Sequence, residues 1–388
     1  MRVLVAFDKF KDAVPAGTAC AAVAEAVRSA RPDWQVDVCP LCDGGEGFAT
    51  ILTGAAQGTI RRIEVEGPLG IACGAPLGLV GLDHLPRGAR DLLGPDAGRP
   101  GEPVAVAEMA SASGLALVPL GQRDLTRASS VGTGQLLAAA AAAGARSILL
   151  GIGGSATHDL GLGALGALGI RFLDHDGREI RRIAPADWPR LARLEGRLPG
   201  GLPPISIACD VENPLLGPRG ALATYGAQKG LRAAEAGALE RETRRVSEIL
   251  AGHFGAPAGL ADRPGAGAAG GIAFGLMAAA GARLLAGFEL VSSWLDLERR
   301  IASADLVLTG EGRFDASSLQ GKGPGAVARR ALGLGIVVRV FAGAVELEGA
   351  PEGLLLHAVT PEGTGLAEAL AGTERFLRES VLRNLFSL

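Results

Sequence analysis

The stretch RVLVAFDKFKDAVPAGTACAAVAEAVRSA, residues 2–30, decides the fold. Its opening run, Arg2 to Ala6, is short, branched and without polar alternation, the pattern of a strand buried on both faces of a parallel sheet. Pro15 to Ser29 then carries apolar residues at helical spacing, so the two together read as the first strand and helix of an α/β series. Runs of the same kind recur at Gln35 to Leu41, Asp305 to Thr309, Ile336 to Phe341 and Leu354 to Val359. Helical patterns alternate with them at Glu46 to Leu52, Leu290 to Ser303, Gly325 to Leu332 and Leu366 to Phe386. The alternation predicts a doubly wound parallel sheet with the flavodoxin-like strand order 2-1-3-4-5.

The series breaks after its second unit. The residues between about 64 and 287 are far too many for a loop and predict an inserted α/β domain, hinged near Glu64 and Gly287. The expected division is therefore residues 1–63 with 288–388, and residues 64–287. A chain of 388 residues exceeds what one core usually organises, which agrees. The insertion has its own strand patterns (Val104 to Glu108, Ser147 to Ile152, Ile170 to Leu173, Ile205 to Cys209), an alanine-rich helix from Thr133 to Ala143, and a Pro/Gly/Arg loop from Leu85 to Pro103.

Composition narrows the function. With 48% hydrophobic and 20% charged residues the chain is globular, and its 59 glycines are too dispersed for a linker or a collagen-like repeat. A net charge of −3 and the absence of long basic runs argue against nucleic acid. The N-terminus reaches charge after a few apolar residues, leaving no signal-peptide core, and the uncharged stretch Pro264 to Ala282 is a glycine-rich loop and helix rather than a membrane span. A cytoplasmic protein is expected. The five cysteines form no framework; the Cys39/Cys42 pair lacks the second pair a zinc site requires.

Only four of the 38 basic residues are lysine, and all four stand in short glycine-rich or acidic motifs: Lys9, Lys11, Lys229 and Lys322. A chain that uses arginine as its general cation keeps lysine where a compact point charge is needed, as at a phosphate oxygen. In an open α/β sheet ligands bind beyond the carboxyl ends of the strands. DKFK, DGGEG (Asp43 to Gly47) and TGEGRFD (Thr309 to Asp315) each follow a predicted strand, which brings acids, lysines and glycines to one edge. Backbone N–H groups there can cradle phosphates while carboxylates hold magnesium. The insertion adds SILLGIGGSATHD (Ser147 to Asp159), CDVENPLLG with Asp210 and Asn213, YGAQKG with Lys229, and PGAGAAGG (Pro264 to Gly271). The last permits close backbone approach to either a ligand or a neighbouring helix. GLGALG and GAGAAG match the dinucleotide fingerprint but are poorly placed for it; GIGG, with Asp174 further on, keeps a nicotinamide enzyme as the alternative. No Walker A sequence, zinc-ligand spacing or nucleophile elbow occurs.

Taken together and in order, DKFK, DGGEG, GIGGSATHD, DVENPLLG, QKG, PGAGAAGG, TGEGRFD and GKGP resemble the type I class of bacterial glycerate kinases. The resemblance implies ATP-dependent phosphorylation of D-glycerate to 2-phosphoglycerate, a 3-phosphate product having also been assigned to such enzymes. It also implies a flavodoxin-like domain carrying an insertion that resembles the restriction endonuclease fold. Where this chain has His158, Leu160, Asp12 and Ala13, the family usually has Asn, Gly, Gly and Ser.

Phosphoryl transfer needs positioning and charge neutralisation more than covalent chemistry. The expected catalytic residues are Lys9, Lys11, Asp43, Asp210 and Lys322. Gly44, Gly45, Gly153, Gly154, Ser155, His158, Asp159, Asn213, Lys229 and Glu311 are expected to bind substrate and phosphate. Asp43, Asp210 and Asp315 are expected to hold Mg2+ or to accept the proton of the attacking hydroxyl. Partners are small molecules, ATP and D-glycerate, with no nucleic acid or membrane and with a homodimer allowed. The alternatives are an NAD(P)-dependent hydroxy-acid oxidoreductase and a non-catalytic sugar-acid sensor on the same fold.

Overall fold

In the computed structural model, strand Arg2–Phe7 pairs in parallel with Gln35–Val38 on one side and with Leu306–Gly310 on the other. Val337–Ala342 and Leu354–Ala358 continue the sheet, also in parallel. Counted along this unit, the strand order is 2-1-3-4-5, as the alternation predicts. The structure describes residues 1–320, 323–347 and 349–385; Lys322 and the predicted helix end at Phe386 lie outside the described residues.

Side chains alternate across a strand. Val3, Val5, Phe7, Leu306 and Leu308 share one core with Val23 and Val27 of helix Ala16–Ala30 and with Leu377 and Val381 of helix Leu366–Asn384. The opposite face is covered by helix Pro324–Gly333, which packs on Leu306–Gly310 and Val337–Ala342. Burial on both faces explains why these strands read as unbroken apolar runs.

Two compact units divide the chain: Met1–Asp43 with Val291–Leu388, and Gly44–Leu290. The first junction thus falls about twenty residues before the expected one. Helix Phe48–Ala55 packs on strands Ala72–Gly81 and Pro103–Glu108, and Thr59–Glu66 pairs with Ala72–Gly81, so these elements fold with the second unit.

The second unit is built on a six-stranded sheet in the order Arg283–Leu285, Ile205–Ala208, Ser147–Gly151, Pro103–Glu108, Ala72–Gly81, Thr59–Glu66. The first four are parallel and the last two antiparallel. Leu77, Ala105, Leu137, Leu150, Trp188, Ile207 and Val246 belong to its core. The antiparallel pair is missing from the sequence reading because Thr59–Glu66 is an edge strand, largely exposed, with arginines and glutamates in place of an apolar run. The predicted strand at Ile170 to Leu173 is instead Arg171–Asp174, which pairs with Leu191–Glu195 outside the main sheet. The predicted loop from Leu85 to Pro103 contains helix Arg87–Leu93. The single helix predicted from Leu290 to Ser303 is two, Gly287–Trp294 and Leu297–Ala302, broken at Asp296 with φ 52°. No helix among the described residues is long and apolar enough to cross a membrane.

Candidate active site

In the first unit, the parallel register brings Asp8, Lys9 and Glu311 to the carboxyl edge of the sheet just beyond their strands, and Asp43 follows five residues after Gln35–Val38. Lys9 Nζ lies 3.1 Å from Asp43 Oδ1. The Asp8 N–H donates to Gly310 O at 3.0 Å, and its Oδ1 accepts from the Lys9 N–H at 2.7 Å. Burial, reinforced by the neighbouring Asp43 carboxylate, pushes the Asp8 carboxyl up to about 7. Glu311 is raised as well, by burial first and then by Asp315 and Asp43, with Ser318 opposing. Asp8, Asp43 and Glu311 therefore sit close enough for the Asp43 carboxylate to raise the pKa of the other two, with Lys9 against Asp43. Among the described residues no three His, Cys, Asp or Glu side chains are grouped tightly enough to cage a metal. That donor set fits magnesium, which takes one or two protein carboxylates and completes its shell with water and phosphate oxygens.

Asp315 stands beside this cluster in a different role. Its Oδ1 accepts from the Ser318 N–H at 3.3 Å and its N–H donates to Ser318 Oγ at 3.2 Å, so it caps helix Ala316–Gln320. Lys11 is exposed on the turn that follows the cluster.

In the second unit, the two predicted phosphate turns lie against each other backbone to backbone. The Gly153 N–H donates to Gly44 O at 2.9 Å. A Cβ on Gly153 would stand 2.8 Å from Gly45 N, and one on Gly151 2.6 Å from Gly44 O. These glycines are thus needed first for close approach of two loops, and the Gly153 N–H is already committed. Gly154, at φ 70°, turns the chain onward, and its carbonyl accepts from Leu115 N. Glu108, 3% exposed, accepts from Ala49 N at 2.8 Å and Gly47 N at 3.4 Å, tying the DGGEG turn and the start of helix Phe48–Ala55 to the end of strand Pro103–Glu108. Burial raises its pKa.

Lys229 is 4% exposed and donates to Ser155 Oγ and to Thr157 O, both at 2.7 Å. Burial pulls its pKa down to about 7, with Asp159 opposing. Asp159 is sealed from solvent: Oδ2 accepts from Ser130 N, Ser130 Oγ and Gly163 N, and Oδ1 from Gly161 N. It locks the turn to the segment leading into helix Val131–Ala142. His158 is 2% exposed, with Nε2 3.0 Å from Thr243 Oγ1 and its ring 6.1 Å from Trp188. Burial first, then the Lys229 charge, holds its pKa down at about 3. Its ring therefore braces helix Ala233–Phe254 as a neutral group. PGAGAAGG approaches this same turn: a Cβ on Gly270 would sit 2.0 Å from Thr157 O, so the close approach read from the glycines is to the chain's own backbone.

Two further expected residues hold loops. Asp210 Oδ2 accepts from Phe288 N at 2.8 Å, at the start of helix Gly287–Trp294. Asn213 donates to Arg219 O at 2.8 Å and to Thr224 Oγ1 at 3.0 Å, and accepts from the Tyr225 hydroxyl at 2.8 Å. Sequence reasoning passed over Asp8, although it opens the DKFK motif just after a predicted strand, and Glu108, which ends one. Nothing in the spacing marks Thr157, whose hydroxyl is buried without a partner.

Residues 3–385 match the model of the glycerate kinase family. The chain is 37% identical over 354 residues to a glycerate kinase of Halalkalibacterium halodurans, covering 88% of this chain and 85% of that protein. It is 37% identical over 332 residues to the glycerate 2-kinase of Escherichia coli K12, covering 84% and 81%. A Salmonella typhimurium LT2 protein solved under the designation glycerate kinase 2 superposes with a TM-score of 0.75 at 35% identity, covering 99% of this chain and 96% of that one. A family match across nearly every residue, on a fold whose first unit gathers lysine and carboxylates at the ligand-binding edge of its sheet, places this chain in the glycerate kinase family.

Proposed function

We infer that this protein transfers the γ-phosphoryl group of ATP to the 2-hydroxyl of D-glycerate. The observation that carries the reading is the Asp8, Lys9, Asp43 and Glu311 cluster at the carboxyl edge of the first sheet, in a chain of this family. Phosphoryl transfer spreads negative charge over the transferring group, and catalysis consists of placing and neutralising it. Lys9, held 3.1 Å from Asp43, supplies a fixed cation for a phosphate oxygen. Asp8 and Asp43 would hold Mg2+, which would supply charge screening for the phosphates. The exposed Lys11 is free to swing to the nucleotide. Asp210, Asp315, Asp159 and Asn213 act by shaping loops, since each already holds backbone or side-chain partners. The glycine turns of the second unit hold each other by their mutual packing. In family terms the first unit is flavodoxin-like, supported by its parallel 2-1-3-4-5 order, and the second is the restriction-endonuclease-like insertion.

The test is ADP release by purified protein with Mg-ATP and D-glycerate, followed by phosphorus NMR of the product. Turnover with coupling to the C2 proton is the expected outcome. Coupling to two C3 protons would move the attack to the 3-hydroxyl, and NADH oxidation by hydroxypyruvate without ADP release would overturn the kinase reading.

A further inference from the structure

An ammonium has three N–H donors and no lone pair. Lys229 gives two of them to Ser155 Oγ and Thr157 O, at 2.7 Å each. In its protonated form the lysine donates to Ser155 Oγ, whose own proton must then point elsewhere. No acceptor for that proton exists among the described residues, and Ser155 is 8% exposed. Asp159, the acid whose charge acts on Lys229, already accepts four hydrogen bonds from Ser130, Gly161 and Gly163. Among the described residues Lys229 forms no ion pair. Beside it, the fully buried Thr157 hydroxyl has no hydrogen-bond partner. The turn that closes strand Ser147–Gly151 thus carries a buried lysine with no ion pair among the described residues, a hydroxyl donor that the protonated lysine orients, and a hydroxyl with no partner, all on the carboxyl side of the sheet.

We propose that Lys229 is a positioning residue that occupies the Ser155 lone pair and so aims the Ser155 hydroxyl proton at a carboxylate oxygen of the hydroxy-acid substrate. The proposal rests on the kinase reading for the identity of that acid. A single buried cation backing one O–H donor suits a monoanionic carboxylate. A triphosphate carries more negative charge than one buried lysine balances and is better served by a site it can share with a metal. Arginine is a poor replacement for Lys229 here, because its larger planar guanidinium does not fit the buried space that a compact ammonium fills.

The experiment measures D-glycerate affinity by titration calorimetry, and KM for D-glycerate and for ATP, in wild type, Ser155→Ala, Lys229→Met and the double variant. Loss of one charge-assisted hydrogen bond should weaken glycerate about 10- to 100-fold in Ser155→Ala, with KM for ATP within about twofold. Because Lys229 acts through Ser155, the double variant should be no weaker than Ser155→Ala alone. Additive losses, an unchanged glycerate affinity in Ser155→Ala, or a rise confined to KM for ATP would each overturn the proposal. If Lys229→Met fails to fold, Ser155→Ala still decides it. A wild type that binds glycerate without turning it over would sink the kinase reading and leave this inference standing; a wild type that binds no glycerate overturns it.

Discussion

His158 shows what burial does to a single ionisable group. Its imidazole is enclosed by Thr243 and Trp188, beside the Lys229 charge, and its pKa falls from 6.5 to about 3. Above pH 6.5 the ring is neutral folded and unfolded, so it contributes no pH dependence. As pH falls from 6.5 towards 3, the unfolded ring takes up a proton that the folded one refuses, and stability is lost progressively across that window. The shift corresponds to roughly 3–5 kcal/mol. His158→Asn should flatten the fall in the urea midpoint between pH 6.5 and 4; an unchanged acid limb would show that the penalty lies elsewhere. At this scale the residue types of the motifs were legible and their partners were not. Lys9 lies 3.1 Å from Asp43, and Lys229 is buried against Ser155 and Thr157. Asp159, Asp210 and Asn213 looked equally chemical in sequence yet serve as loop anchors, because their partners Ser130, Phe288 and Tyr225 come from other turns that no local spacing reveals.

Elements carry the next level of constraint. Glu108 satisfies N–H groups at and just before the start of helix Phe48–Ala55 from a different strand, so Glu108→Ala should cost about 1–3 kcal/mol, read as a lower urea midpoint at unchanged m value. Gly153→Ala meets backbone at 2.8 and 2.9 Å, which no rotamer change relieves. It should destabilise by about 1–3 kcal/mol and lower kcat by displacing the Ser155 turn. Full activity at full stability in that variant would contradict the packing. Buried parallel strands were readable because their apolar runs are local. The antiparallel strands Thr59–Glu66 and Ala72–Gly81 were not, since their order comes from pairing and not from their own composition. The glycine turns were recognised as special, but for phosphate rather than for each other: a positive φ or a missing Cβ announces close approach without saying what approaches.

On the scale of the molecule, the second unit is contiguous from Gly44 to Leu290 and has its own core. A fragment of residues 44–290 should therefore unfold in one cooperative urea transition, followed by circular dichroism, and should show no kinase activity because Asp8, Lys9 and Glu311 are absent from it. A non-cooperative transition would show that the second core depends on the first unit. The break in the α/β series, and hence an insertion, was legible from the spacing of apolar runs. The place of the first junction was not, because helix Phe48–Ala55 looks the same whichever sheet it covers.

The parallel ladder of Arg2–Phe7 has a consequence for how the chain is made. Its partner on one side, Gln35–Val38, leaves the ribosome soon after it, but its partner on the other, Leu306–Gly310, is separated from that strand by most of the polypeptide. At roughly 5–20 residues per second, the edge of the central strand stays unpaired for about 15–60 s of translation. Nascent chains stalled within the insertion should consequently recruit chaperones through Val3 and Val5, and release them once residue 310 has cleared the exit tunnel.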